Sequence, residues 1–190
     1  MASRELLDVL DSRGKPTGQR LDKREIHSQG LWHWDTHVWV TTGTHFVEQL
    51  RRKDKNIMPG EWDISVGGHV AAGETTRRAA RRELAEELGV RVPEGRLIYA
   101  GRLAVEMEIP ERGKEPWMHR VHSDHYVLVA PDLQREDLKL QRSEVSDARF
   151  YPLDQLEKDM RNPNTAKQHA SQPPEMWHLG IAAMRKAVRP

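Results

Sequence analysis

Three carboxylates, Glu83, Glu86 and Glu87, fall within five residues of one another, with glycine on either side of the segment at Gly73 and Gly89. The segment between the glycines reads as a helix, with Glu74 and the threonines Thr75 and Thr76 opening it and Gly89 stopping it. At 3.6 residues per turn Glu83 and Glu87 share a face and Glu86 lies beside them. Like charges at that spacing destabilise an isolated helix by roughly 0.2–0.5 kcal/mol per pair, so a cation must compensate. Two cations are available to the argument. Arg78 and Arg82 lie close enough to make an ordinary solvated Arg/Glu face. Alternatively, Mg²⁺ or Mn²⁺, hard ions that prefer carboxylate, carbonyl and phosphate oxygens, would use the same carboxylates as ligands.

The wider spacing favours the metal. Gly68-x5-Glu74-x7-Arg82-Glu83-Leu84-x-Glu86-Glu87-x-Gly89-Val90 resembles the Nudix box at every defined position, and the chain is similar to the Nudix hydrolases over that segment. The resemblance implies an α/β fold, an α/β/α sandwich around a mixed β-sheet with the box as loop-helix-loop. It also implies divalent-cation-dependent hydrolysis of a diphosphate. Such a linkage is inert because its negative oxygens repel hydroxide; metal ions neutralise that charge and activate water. By resemblance Glu83, Glu86 and Glu87 are metal ligands and catalytic residues, helped by the backbone carbonyl of Gly67 or Gly68. Arg82 is expected to orient the carboxylates, and Glu74 to act as a ligand's neighbour or a cap. The family usually adds a later carboxylate as ligand or base. Glu106, Glu108, Asp124 and Glu144 are the candidates, with Glu144 preferred for its place before a late strand.

On the substrate side, Arg51 and Arg52 end a strand expected to run towards the site, where a guanidinium fork suits phosphate oxygens. Arg52 is the preferred contact, with Arg51 and Lys55 beside it. Among the tryptophans, Trp39 reads as core, whereas Trp34 or Trp32 is expected to line the pocket. His27, His33 and His69 resemble the branch that contains isopentenyl-diphosphate isomerases, in which comparable histidines bind a divalent metal, so His69 joins the metal candidates. In those isomerases a cysteine precedes the Gly-His pair. Here that position is Gly67 and the chain has no cysteine. The intact box and the missing thiol together favour hydrolysis, releasing a monophosphate and phosphate from a nucleoside di- or triphosphate or related small diphosphate. An isoprenoid-diphosphate hydrolase or isomerase-like enzyme is the alternative, and a non-catalytic nucleotide-binding module the alternative of another class.

The elements that must position these groups follow from pattern. The 190 residues suit one domain, and a net charge of +1 gives no overall field for nucleic acid or membrane. No signal pattern opens the sequence and no apolar run approaches membrane length, so a cytoplasmic protein is expected. An N-terminal hairpin spans about residues 3–22, followed by a polar helical turn. A second hairpin joins His37–Thr42 to Phe46–Arg52. An alternating strand over Glu61–Val66 delivers the chain to the box. Leu97–Met107, with Gly101 at a bulge, pairs with a central strand over His119–Ala130, the two joined by a polar connection over Pro110–Pro116. Ser143–Leu156 reads as a strand running into a helix, and a last helix over about residues 174–188 shows an apolar face of Met176, Leu179, Ile181, Ala183 and Met184. A homodimer through the first hairpin or the last helix is the expected assembly.

Overall fold

The strand His33–Thr41 (β3) divides the molecule by its alternation. Val38 and Val40 face one core with Leu84 and Leu128, whereas Trp39 faces another with Phe46, Trp177 and Ile181. A computed structural model describes residues 5–55, 57–110 and 115–189. Residues 3–4 of the expected hairpin and 111–114 of the expected polar connection lie outside the described residues.

In chain order the remaining elements are β1 (Leu6–Leu10), β2 (Pro16–Asp22), α1 (Lys23–Gln29), β4 (His45–Arg51), β5 (Trp62–Asp63), β6 (Val66–His69) and α2 (Thr76–Glu87). They are followed by β7 (Ile98–Ile109), β8 (Trp117–Val129), β9 (Val145–Pro152), α3 (Leu153–Met160), α4 (Pro163–Ala166) and α5 (Pro174–Ala187). Strands β1 and β2 form a separate hairpin. The other seven make one sheet in the order β5-β4-β3-β8-β7, with β6 also on β3 and β9 also on β4. Only β3 and β8 pair in parallel, so the sheet is mixed. Helix α2 covers one face and α3 with α5 the other, which is the expected α/β/α sandwich.

The expected second hairpin forms but is short. Strands β3 and β4 pair antiparallel at Thr41 and Phe46 across the tight turn at Gly43 (φ 102°). Beyond that point β6 occupies the edge of β3 from Val38 to Asp35 and β5 the same edge of β4 at Gln49 and Leu50, while β9 pairs with the other edge of β4 from His45 to Arg51. The diverging strands leave the room that the end of α2 enters. Elsewhere the bulge at Gly101 and the central position of β8 are as expected.

Helix α2 begins at Thr76, two residues after Glu74. Thr75 is its N-cap, accepting from Arg78 N at 3.3 Å, and Thr76 Oγ1 donates to Asp124 Oδ2 at 2.7 Å. Gly89 ends it at φ 74°, a left-handed conformation with no room for a Cβ beside Lys139. Helix α5 buries Met176, Trp177, Ile181 and Met184 on the sheet, and Gly180 lets its backbone lie against the Trp39 indole. The apolar face of this helix is therefore spent within the chain. No helix among the described residues is long and apolar enough to cross a membrane.

Candidate active site

The end of α2 meets β6 where β6 has no side chains. Gly68 packs so tightly on the Glu83 carboxyl that a Cβ there would collide with it, and a Cβ on Gly67 would come within 2.8 Å of the His37 ring. Around this backbone lies a cavity of about 1140 Å³ whose walls include Gly67, Gly68, Arg82, Glu83, Glu86 and Glu87. Arg82 ties the corner together. Its Nη1 donates to Glu83 Oε1 at 2.6 Å and Glu86 Oε2 at 3.3 Å, and its Nη2 donates to Glu74 Oε2 and the His69 carbonyl, both at 3.0 Å. Glu74 also accepts from Ala71 N at 3.2 Å, so it braces Arg82 and the box loop instead of capping the helix. Glu87 is buried, and Gln49 Nε2 of β4 donates to its Oε2 at 3.2 Å.

Carboxylates outnumber cations in this corner, with Glu74, Glu83 and Glu86 gathered about the Arg82 guanidinium and Glu87 buried next to Glu83 with Arg51 as its opposing charge. Burial pushes Glu83 up to about 7 against the pull of Arg82. Burial and then the Glu83 charge raise Glu87 well above the usual range, with Arg51 opposing. Arg82 is raised, its own burial being outweighed by Glu74 and Glu83. Crowded oxygen ligands on a rigid helix, facing a strand stripped of side chains, fit a hard divalent cation.

A second cluster adjoins the first. His27, His33 and His69 each offer a ring nitrogen, all within 4.8 Å of one another, and His119 packs edge-on against His27 and His33. His33 Nδ1 lies 3.0 Å from the Leu31 carbonyl, which fixes the tautomer and leaves a buried Nε2 with no partner. Burial, followed by neighbouring imidazoles, lowers His27 to about 3; burial also lowers His119 to about 4, and carries His69 well below its usual value. These rings are neutral at pH 7, the state in which imidazole ligates.

Of the expected substrate contacts, Arg51 and Lys55 line the cavity and Arg52 and Trp34 do not. The Arg52 guanidinium is held outside by Asp54, at 2.8 and 2.9 Å, and by the Arg142 carbonyl at 2.9 Å. Trp34 alternates onto the opposite face of β3, with Arg102 over its ring at 4.1 Å. Trp32 lies against His122 and is likewise outside the cavity. The aromatic that lines the cavity is Trp117, stacked on His27. Of the four candidate carboxylates only Glu144 lines the cavity, paired with Lys55 Nζ at 2.5 Å. Asp124 is consumed by Arg102, Thr76 and Tyr99, and Glu106 by Arg120; Glu108 is exposed and outside.

Sequence reasoning missed Asp35, His37 and Asp63, all buried cavity residues. The period of two from His33 through Asp35 and His37 to core Trp39 was the signal for the first two. Arg20 and Lys23 carried no such signal. The hairpin is sewn to the box loop by Ala72 N to the Leu6 carbonyl at 2.8 Å and Gly73 N to Asp8 Oδ2 at 2.7 Å, and only that docking brings the two cations to the cavity.

A family model described as NUDIX domain matches residues 32–172. The chain is 34% identical over 154 residues to Nudix hydrolase 3 of Arabidopsis thaliana, covering 80% of this chain and 20% of that protein, so it spans about a fifth of that relative's length. It is 32% identical over 151 residues to an uncharacterized Nudix hydrolase of Listeria monocytogenes, covering 79% of this chain and 81% of that one. A solved structure from Deinococcus radiodurans superposes with a TM-score of 0.63 at 19% identity, covering 94% of this chain and 99% of that one, a likeness of fold. Complete box, fold and relatives agree: the chain belongs to the Nudix hydrolases and is a pyrophosphohydrolase.

Proposed function

We propose that the chain hydrolyses the diphosphate linkage of a small organic diphosphate, a nucleoside di- or triphosphate or a related compound, releasing a monophosphate with phosphate from a diphosphate or with pyrophosphate from a triphosphate. The observation that carries this reading is the under-compensated carboxylate corner facing bare glycine backbone at the cavity wall. Glu83, Glu86 and Glu87, with the backbone at Gly68, would hold Mg²⁺ or Mn²⁺. When bound, such an ion neutralises phosphate oxygens and makes water nucleophilic at neutral pH. Arg82 keeps the carboxylates aimed, and Gln49 keeps Glu87 from turning away. Arg51 and Lys55 take phosphate oxygens, and Glu144, beside Lys55, is the base that receives the proton of the attacking water. His69, with His27 and His33, supplies nitrogen ligands for a further divalent ion.

A second reading keeps the reaction and changes the organic group. Val105, Met107, Val121 and Met176 give the cavity an aliphatic wall, which suits an isoprenoid diphosphate. Isomerase chemistry through residue 67 is disfavoured, because the His37 ring fills the space a side chain there would need. Product formation (phosphate, pyrophosphate or a second monophosphate, resolved by ion-exchange chromatography) with Mg²⁺ and then Mn²⁺, across nucleoside diphosphates, nucleoside triphosphates, sugar nucleotides and prenyl diphosphates, tests both readings. Turnover by the wild type but not by Glu87→Gln supports hydrolysis, and the preferred compound names the class. Ligand binding without turnover on any compound would put a non-catalytic nucleotide-binding module in its place.

A further inference from the structure

The segment between α4 and α5 has no regular structure, yet it forms part of the cavity wall through Gln172. What holds it is a histidine. His169 is completely buried with a carboxylate at each ring nitrogen: Nδ1 meets Glu48 Oε1 of β4, and Nε2 lies 3.4 Å from Asp159 Oδ2 of α3. Each ring nitrogen therefore faces a carboxylate oxygen. The carboxylates are themselves fixed. Arg149 Nε donates to Glu48 Oε2 at 2.7 Å, and Tyr151 Oη donates to Asp159 Oδ2 at 2.6 Å. A residue pinned on both sides inside the protein sets the position of the backbone that carries it.

That backbone reaches the site within three residues. Ala170 N donates to the Trp62 carbonyl of β5 at 2.5 Å, and Gln172 Nε2 donates to Asp63 Oδ1 at 3.1 Å. Asp63 lines the same cavity and lies 3.5 Å from Arg51, an expected phosphate contact. Meanwhile Gln49, next to Glu48 on β4, holds Glu87 on the other face of the strand. We infer that His169 is a positioning residue for the pyrophosphohydrolase reaction: clamped between Glu48 and Asp159, it seats Gln172 against Asp63 and so fixes the substrate-binding wall without touching substrate. The inference rests on the proposed cavity being the substrate site. It assigns the effect to substrate binding and not to the carboxylate corner, because Gln172 and Asp63 are its outlets.

The test is His169→Gln in the full chain, read three ways. Hydrogen–deuterium exchange should speed up about tenfold in peptides covering 168–173 and 61–65 while peptides over 76–87 stay unchanged. With the compound that the product-formation panel prefers, KM should rise about tenfold while kcat stays within about threefold. Mn²⁺ affinity, followed by its paramagnetic resonance signal, should stay within about twofold. Gln172→Ala, which leaves the buried clamp intact, should reproduce the rise in KM, and it carries the test if His169→Gln does not fold. A normal KM in Gln172→Ala, unchanged exchange over 61–65, or a fall in kcat with KM constant would each overturn the inference. If wild type hydrolyses none of the compounds, the hydrolase reading fails, and the exchange arm still decides whether His169 positions the wall.

Discussion

Two groups of acidic side chains on either side of strand β4 show how burial can be used in opposite ways. On one side Glu48 and Asp159 are fully buried, and Arg149, Tyr151, Gln155 and His169 meet their oxygens. On the other side Glu83 is crowded with Glu74 and Glu86 about Arg82, and Glu87 is buried next to Glu83. Burial tends to raise Asp159, but the hydrogen bonds from Tyr151, Gln155 and His169 win and lower it. Burial raises Glu83 and Glu87, and there the opposing arginines lose. The first group is complete within the chain. The second is a set of ligands that the chain alone leaves short of positive charge.

The strongest way to break this contrast is Glu87→Gln. Product formation should fall by about a thousandfold or more, and the melting temperature in chelator should hold or rise, because an uncompensated buried acid is gone. A drop in melting temperature with turnover intact would move Glu87 to the structural group. Glu48→Ala should do the reverse to the fold. It strands His169 and Arg149, and breaking such a buried pair costs about 3–5 kcal/mol, which urea unfolding would measure.

Acidity separates the groups with opposite signs. Glu83 has a folded value near 7, above its ordinary 4.5, so the metal-free folded chain binds more protons than the unfolded chain between those values. The Glu83 contribution to metal-free stability should therefore grow as pH falls from about 7 towards 4.5, while His27 and His119, lowered from 6.5 to about 3 and about 4, work in the opposite sense over the same fall. Asp159 is lowered from 3.8, so its contribution is full above that value and is lost as pH falls through its folded value. Unfolding in chelator across pH should isolate the acid as a difference: wild type should gain on Glu83→Gln as pH falls from about 7 towards 4.5, and the two should decline together below about 4. The smallest effect is expected from Arg52→Ala. Arg52 does not line the cavity and its salt bridge with Asp54 is exposed, so KM should change less than about threefold in steady-state kinetics.

Much of the fold was legible because its signals are local. The capped, glycine-stopped helix, the apolar centre of β8 and the bulge at Gly101 each follow from a short stretch of sequence. The pairing of β4 was legible only in part: the turn at Gly43 predicts its contact with β3, but nothing in residues 45–51 says that β5 follows β3 on that edge or that β9 takes the other. The same holds at the site. Arg51 and Arg52 are neighbours of one type, and only strand alternation with the partners Asp54 and Arg142 decides that one faces the cavity and the other leaves it.

By itself, then, the sequence determined the candidate corner, since Gly68, Arg82, Glu83, Glu86 and Glu87 lie on one loop and one helix whose geometry is set by spacing, and the complete box marked the family. Tertiary structure alone decided the rest of the cavity. Arg20 and Lys23 arrive by docking of a hairpin, Asp35 and His37 by the face β3 turns inward, and Gln172 through a histidine clamped between carboxylates far away in the chain. The physical reason is the range of the forces involved. Helix caps and i,i+4 charges act within a turn or two, whereas a cavity wall exists only after segments distant in sequence have buried their apolar faces together.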